Sequence, residues 1–177
     1  VAVVSTLQQN RASFGVALLH RPPAGLDTSV LYREFFGLFC GPSHRLYGRA
    51  NIEESELRDE DVVSFWTDDP NGALSGVAHL RARLRMRSEP RGLSSNLPEV
   101  RRMIVANIGI GALPVHVARK DVQSGLLWQM PPYQGLPAVD IHLLTNPKRS
   151  LHNAEKAFLA MLQAAIDAVP LAERTYS

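Results

Sequence analysis

The strongest structural signal in the chain is Val105-Ala106-Asn107-Ile108-Gly109-Ile110-Gly111-Ala112-Leu113-Pro114. It predicts the end of a helix, a turn that carries glycine, and a short buried strand that Pro114 terminates. Asn107 suits the left-handed backbone position just past a helix end. Gly109 and Gly111 allow another part of the chain to come close, because they lack a Cβ atom. A helix followed at once by a buried strand is typical of an α/β fold.

The residues before this stretch predict a helix with one apolar face. Leu97, Val100 and Ile104 recur at helical spacing. Asn96 is expected to cap the helix, and Glu99, three positions later, is placed to complete a capping box.

Strands alternate with helices along the rest of the chain, which predicts an α/β protein with a mainly parallel sheet. Asp69 and Pro70 fit the N-cap and the first position of a helix over 70–86. The last helix carries an apolar stripe that includes Phe158, Met161 and Ile166. We predict strands at 13–19, 30–40, 62–66, 91–94, 126–129 and 138–144, and helices at 1–9, 70–86, from 97, 114–123 and 154–169.

Length and composition describe an ordinary globular protein. The 177 residues are enough for one domain or two small lobes, and 45% of them are hydrophobic and 20% charged. A net charge of +2 is too mild to indicate a nucleic-acid surface. No apolar run approaches the roughly 20 residues of a membrane helix. The single cysteine, Cys40, cannot form an internal disulfide; we expect a buried, reduced thiol and a cytoplasmic location.

Five segments, in order and at similar spacing, resemble the effector-binding domain of LysR-type transcriptional regulators. The 105–114 stretch is similar to the family's V-aa-G-x-G-I-a-x-L-P segment, with Asn107 at its first glycine and Gly111 where alanine or serine is commoner. Gly15 and Arg45 replace an aspartate and a proline of the family pattern. The other four segments are 14–18 (l-D-l-a-i), 31–39 (L-x-x-E-x-l-x-l-v), 43–47 (x-H-P-L-a) and 125–127 (x-G-x-L-v).

The resemblance implies a periplasmic-binding-protein-like fold of type 2, in which two Rossmann-like α/β lobes are joined by two crossover strands. On that template lobe I covers about 1–33 and 131–177, and lobe II about 34–130. The family's N-terminal winged helix-turn-helix and the first strand-helix-strand of lobe I are absent from this chain. We therefore expect it to be a fragment of a longer regulator.

The resemblance also implies the function. A small organic effector, by default an anion, binds between the lobes and biases a homodimer or homotetramer whose N-terminal domains hold DNA. It implies no catalysis and no cofactor. One alternative is a periplasmic solute-binding protein of the same architecture. A hydrolase or transferase is the other, although the sequence shows no nucleophile with a base.

Polar clusters at two strand-to-helix turns are the candidate effector site. Ligands of open α/β sheets bind at the carboxyl ends of the strands, where helix N-termini offer N–H groups to anions. The family template places its cleft at these turns. The candidate residues are Thr67, Asp68 and Asn71 in one turn, Ser94 and Ser95 in the other, and Arg21 after the first strand.

Plain structural roles compete with ligand binding for the same residues. N-capping explains Asp69 and Asn96 and stays open for Thr67, Ser94 and Ser95. Arg21 can pair with a carboxylate of the effector or can be a solvated surface arginine.

The helix over 70–86 is the expected dimer contact, since in the resembling family it packs against a partner. Arginines near its end favour the helix dipole and are expected to be solvated. The six histidines show no metal-ligand spacing, so no metal site is predicted. The predicted interface residues are Leu74, Val77, Leu80, Arg81 and Leu84.

Overall fold

The computed structural model describes residues 2–177 as five α-helices and eight strands. Short 3₁₀ helices lie at Glu54–Leu57 and Leu171–Arg174. The strands are β1 (Phe14–Leu18), β2 (Asp27–Cys40), β3 (Val62–Phe65), β4 (Gly92–Ser94), β5 (Ile110–Pro114), β6 (Trp128–Met130), β7 (Ala138–Thr145) and β8 (Thr175–Tyr176). The helices are α1 (Ala2–Gln8), α2 (Ser75–Arg83), α3 (Leu97–Val105), α4 (Val115–Gln123) and α5 (Asn153–Ala168).

The chain forms two compact units. The first contains the chain up to Arg33 together with Asp140–Tyr176, and the second contains Glu34–Val139. The two boundaries fall inside β2 and β7, so two strands carry the chain across. The sequence placed the return near Met130. The second unit instead continues to Val139, and Met130 lies within it, in β6, where it pairs with Leu38 of β2.

The first unit is small and is held by an antiparallel strand pair. β1 runs antiparallel to β7, with Phe14 opposite Thr145. Leu7 of α1 packs with Leu26 and Leu144 in the core of this unit. Helix α1 also packs on β1, because a Cβ atom on Gly15 would meet the side chains of Val3 and Leu7.

Helix α5 forms where the sequence predicts it, but most of its apolar stripe is exposed. Met161 is 74% exposed and Phe158 is 49% exposed, whereas Ile166 is buried. The Phe158 ring stacks on Phe14 at 5.0 Å between centroids. The helical spacing of the apolar residues therefore predicted the helix correctly but did not identify which of its faces is buried.

The sheet of the second unit has the order β2-β5-β3-β4. β3 runs parallel to β4 and to β5, whereas β2 runs antiparallel to β5 and β6. The expectation of a mainly parallel sheet is wrong, because the long strand β2 enters this unit against the direction of β5.

The 105–114 stretch folds as predicted. All five residues of β5 are buried, and Asn107 takes a left-handed φ of 58° after α3. A Cβ atom on Gly109 would lie 2.8 Å from the backbone oxygen of Asp61, and one on Gly111 would lie 2.8 Å from a methyl group of Val63. Glycine is required at Gly109, where backbone occupies the space of a side chain, whereas the atoms nearest a Cβ on Gly111 belong to the side chains of Ile104 and Val63.

The helix predicted over 70–86 is shorter, since α2 begins at Ser75 and ends at Arg83. Asp69 does not cap it; its carboxylate accepts the Asn71 N–H at 2.8 Å within a turn. A Cβ atom on Gly72 would lie 2.0 Å from the Thr67 oxygen. The chain folds back on itself here, which leaves no room for a helical turn.

The cysteine is buried, as predicted. The Cys40 side chain is inaccessible, and burial raises the pKa of its thiol to about 12. In the part of the chain that the structure describes, no helix is long and apolar enough to cross a bilayer.

Candidate functional site

Several polar segments meet at one edge of the second unit's sheet. Because β3, β4 and β5 are parallel, their carboxyl ends share an edge, which is where open α/β sheets bind ligands. β2 enters at the same edge, with Phe36 opposite Pro114 of β5. We call this edge the carboxyl edge; it comprises Glu34, 66–71, 94–96 and 114–116.

The turn after β3 is largely exposed. Trp66 is 65% exposed, and Thr67 and Asn71 are also exposed. Asp68 is buried in the middle of this turn. Thr67 and Asn71 are therefore open to a ligand, whereas Asp68 is not.

Asp68 is part of a buried ion pair. Its carboxylate accepts the Ser64 hydroxyl at 2.6 Å and lies 3.1 Å from Nη2 of Arg81, which also donates to the Asp68 backbone oxygen at 3.0 Å. The two side chains are 1% and 12% exposed. Burial raises the pKa of Asp68, and the nearby guanidinium of Arg81 opposes that rise. This pair fixes the turn that presents Thr67.

The turn after β4 is fixed by a buried serine. The Ser94 hydroxyl donates to the Glu99 carboxylate and accepts the Asn96 N–H at 3.0 Å. Asn96 caps α3 by accepting the Glu99 N–H at 3.4 Å, as predicted. The predicted capping box is wrong, because Ser94 lies between the Glu99 carboxylate and the Asn96 backbone. Ser95, the next residue, is exposed.

The two turns lie side by side. Phe65 is opposite Ser94 in the β3–β4 pair, and the Trp66 N–H donates to the Ser94 backbone oxygen at 3.3 Å. The structure thus brings Thr67 and Ser95 to adjacent turns of one edge. Arg21 lies in the first unit, on the exposed loop between β1 and β2.

Sequence reasoning missed two titratable residues of the carboxyl edge, Glu34 and His116. Glu34 is buried, and burial raises the pKa of its carboxyl group to about 7. Nε2 of His116 lies 3.8 Å from Oε2 of Glu34. Burial, and then the charge of Arg119, lower the pKa of His116. A charged residue at the head of the apolar run from Phe35 to Cys40 was the available signal.

The residues predicted for the dimer interface are not available as a contact surface. Arg81 is engaged with Asp68, and the four apolar side chains pack into the second unit. Their spacing reflects packing within one protomer. The predicted interface is therefore corrected: these side chains lie inside the second unit. The exposed face of α2 consists of Gly76, His79, Ala82 and Arg83, and the buried residues are Leu74 at 1%, Val77 at 0%, Leu80 at 6% and Leu84 at 5% exposure.

Within residues 2–177, no group of three or more histidine, cysteine, aspartate or glutamate side chains converges in a way that could bind a metal ion. The histidines have other surroundings. His44 lies against Glu60 at 3.2 Å, and His142 contacts the Asp140 backbone oxygen at 3.1 Å.

A family model, described as the LysR substrate binding domain, matches residues 2–167. No curated protein matches the chain. Three solved structures with the same fold illustrate the likeness. The regulatory domain of HypT from Salmonella typhimurium superposes with a TM-score of 0.72 at 15% identity, and the match covers 95% of this chain and 79% of that one.

The second structure is the regulatory domain of CcmR from Synechocystis PCC6803 in complex with 2-PG, with a TM-score of 0.70 at 18% identity and coverage of 96% and 80%. The third is the effector binding domain of QuiR in complex with shikimate, with a TM-score of 0.75 at 11% identity and coverage of 94% and 78%. At these identities the likeness establishes the fold.

Proposed function

This chain belongs to the family of LysR substrate binding domains, and we propose that it binds its effector at the carboxyl edge of the second unit. It is the effector-sensing domain of a LysR-type transcriptional regulator. The observation that carries the proposed site is the pairing of two exposed hydroxyls, on Thr67 and Ser95, on adjacent turns held rigid from below. The periplasmic alternative loses its support, because the matched family and the structural neighbours are regulators.

A small organic anion is the effector class we propose. Helix α3 begins at the carboxyl edge, and helix N-termini favour negative charge. Pro98 has no N–H group, and those of Asn96 and Glu99 are bonded within the turn, so the hydroxyls of Thr67 and Ser95 are the donors we propose for the anion. CcmR with 2-PG and QuiR with shikimate support a small polar ligand. Arg21, on the loop between β1 and β2 of the first unit, is a separate proposal for a contact with a carboxylate.

We also propose how the complete regulator works. The family consists of transcription regulators rather than enzymes, and we expect this chain to bind its effector without transforming it. We expect a cytoplasmic protein that contacts DNA through an N-terminal domain outside the present sequence. Coupling to DNA requires that the effector binds two arrangements of an oligomer with unequal affinity.

Homo-oligomerisation is proposed through the exposed face of α2. Since Leu80 of α2 and the flanking Leu74 and Leu84 are core residues, a charge placed on any of them would unfold the unit. Ala82→Arg changes the exposed face instead, and Ala24→Arg on an exposed loop is its control. Sedimentation velocity should show a lower mass for the Ala82 variant. An unchanged mass at equal concentration excludes this face.

Effector binding is tested by a thermal-shift screen of small acids, sugars and amino acids, followed by calorimetric titration of the best ligand. Thr67→Ala and Ser95→Ala should each weaken binding by about 0.5–3 kcal/mol while leaving stability nearly unchanged. Ser88→Ala, on an exposed loop of the same unit, is the matched control and should change neither binding nor stability. The proposed site is wrong if both variants bind as the unmodified chain does, or if no compound of any class binds.

A further inference from the structure

The first unit contains a cavity of its own. It has a volume of about 470 Å³ and is lined by the start of β2, the end of β7 with the loop that follows, and α5. Cavities of about 300–1,000 Å³ are typical of small-molecule sites. All of the lining residues belong to the first unit, so this unit forms the cavity alone.

Much of the cavity wall is apolar. Leu143 of β7, which is buried, lines it together with the half-buried Leu151 and Leu159. The side chains of Thr28 and Thr145 add hydroxyl groups to the same wall. An apolar wall with a few polar groups is the usual composition of a small-molecule site. A ligand that fits this cavity therefore has an apolar part.

Two opposite charges line the cavity without pairing with each other. Asp27 is exposed and has no cation partner within residues 2–177. Arg149 is only partly used: Nη1 donates to the Asn10 backbone oxygen, and Nη2 lies 3.7 Å from Oε1 of Glu155. Its Nε is buried and finds no hydrogen-bond acceptor in the described part of the chain, which is uncommon for a buried donor. The guanidinium thus keeps donor capacity that the protein leaves unmet.

The loop that carries Arg149 is held in place by a buried amide. The Asn146 side chain donates to the Leu7 backbone oxygen at 3.1 Å and accepts the Lys148 N–H at 3.0 Å. The Arg149 N–H in turn donates to the Asn146 backbone oxygen at 3.1 Å. A preformed site loses less entropy when a ligand binds than a site that must first become ordered.

We propose that this cavity is a second ligand site, which binds a free amino acid with an apolar side chain. The carboxylate of the amino acid lies toward Arg149, its ammonium group toward Asp27, and its side chain against Leu143 and Leu159. A plain acid would leave Asp27 without a partner and repel it, and a plain amine would do the same to Arg149. The inference is independent of the proposed effector site, because the two sites share no residue.

The test uses the 177-residue chain and calorimetric titration with L-leucine and L-phenylalanine at neutral pH. Three compounds each remove one recognised feature of leucine: 4-methylpentanoate lacks the ammonium group, 3-methylbutylamine lacks the carboxylate, and glycine lacks the side chain. We expect leucine or phenylalanine to bind, and each of the three compounds to bind at least about 10-fold more weakly.

Variants then place the binding in the cavity. Asp27→Asn should weaken amino-acid binding by about 10-fold or more and should fold normally, because Asp27 is exposed. Arg149→Gln should weaken it as well; since Arg149 also holds the Asn10 oxygen, Asp27→Asn decides the question if Arg149→Gln does not fold. Lys148→Gln and Glu173→Gln are the controls, because both residues are exposed charges of the same unit that do not line the cavity.

Each outcome decides between the two sites. The inference is wrong if neither amino acid binds, if any of the three comparison compounds binds as tightly as leucine, or if Asp27→Asn binds as the unmodified chain does. It is also wrong if the double variant Thr67→Ala/Ser95→Ala loses amino-acid binding, because the ligand then occupies the carboxyl edge. If that double variant binds leucine normally and no compound responds to changes at the carboxyl edge, the proposed effector site fails while the second site stands.

Discussion

Replacing Glu34 by glutamine should stabilise the protein in a pH-dependent way. Burial raises the pKa of this carboxyl group from 4.5 to about 7. The folded state therefore binds a proton more tightly than the unfolded state. Stability is lost as the pH rises through that window, and the loss is complete above it. Glutamine keeps the shape of the side chain and cannot ionise.

The size of the effect follows from the two pKa values. At about 1.4 kcal/mol per tenfold change, the ionised carboxylate costs up to about 3 kcal/mol near pH 8. Near pH 5 the cost falls below about 1 kcal/mol, because Glu34 is then protonated in the folded state. The variant should thus gain about 2–3 kcal/mol over the unmodified chain at the higher pH and little at the lower.

Urea denaturation monitored by circular dichroism at both pH values measures this gain. Urea is preferred to guanidinium because it does not screen charge. Glu89→Gln is the control, since its side chain is exposed. An equal difference at both pH values, or a destabilised variant at the higher pH, would refute the assignment of a desolvated, uncompensated carboxylate.

Three further changes test other parts of the structure. Arg81→Met should destabilise by about 3–5 kcal/mol because it leaves Asp68 buried and unpaired, and adding Asp68→Asn should recover part of the loss in urea titrations. Gly109→Ala should cost about 1–3 kcal/mol, because its Cβ atom would lie 2.8 Å from backbone, and equal melting temperatures would contradict that packing. Ser94→Ala should lower the free energy of unfolding by about 1–2 kcal/mol, whereas Ser95→Ala should lower it by less than about 0.5 kcal/mol; equal effects would contradict the assigned hydrogen bonds.

Local backbone constraints made parts of the fold predictable. The left-handed φ after α3 favours Asn107, and the close approach of the Asp61 backbone requires Gly109. Both constraints can be inferred from the residue types alone. Asn96 likewise caps α3 as its sequence position indicates. The start of α2 was not predictable, because Asp69 followed by Pro70 suits a turn as well as a helix start.

Tertiary partners decided what the sequence could not. Apolar spacing in α2 is the same whether Leu80 faces the core or a partner, so burial had to be observed. The hydroxyls of Ser94 and Ser95 are equivalent in sequence, but only Ser94 lies within reach of Glu99. Glu34 was missed because a glutamate at the head of an apolar strand has no meaning until its neighbours across the sheet are known.

The exposure of Trp66 gives this protein an intrinsic optical probe. Its indole lies in water beside Thr67, so a ligand that covers the turn should shift its emission to shorter wavelength. The only other tryptophan, Trp128, is fixed in place by a hydrogen bond from its indole nitrogen to the Arg49 oxygen at 3.1 Å. Trp128→Phe would leave a single tryptophan, at the carboxyl edge, so that selective excitation of tryptophan would report the binding of unlabelled compounds without a dye.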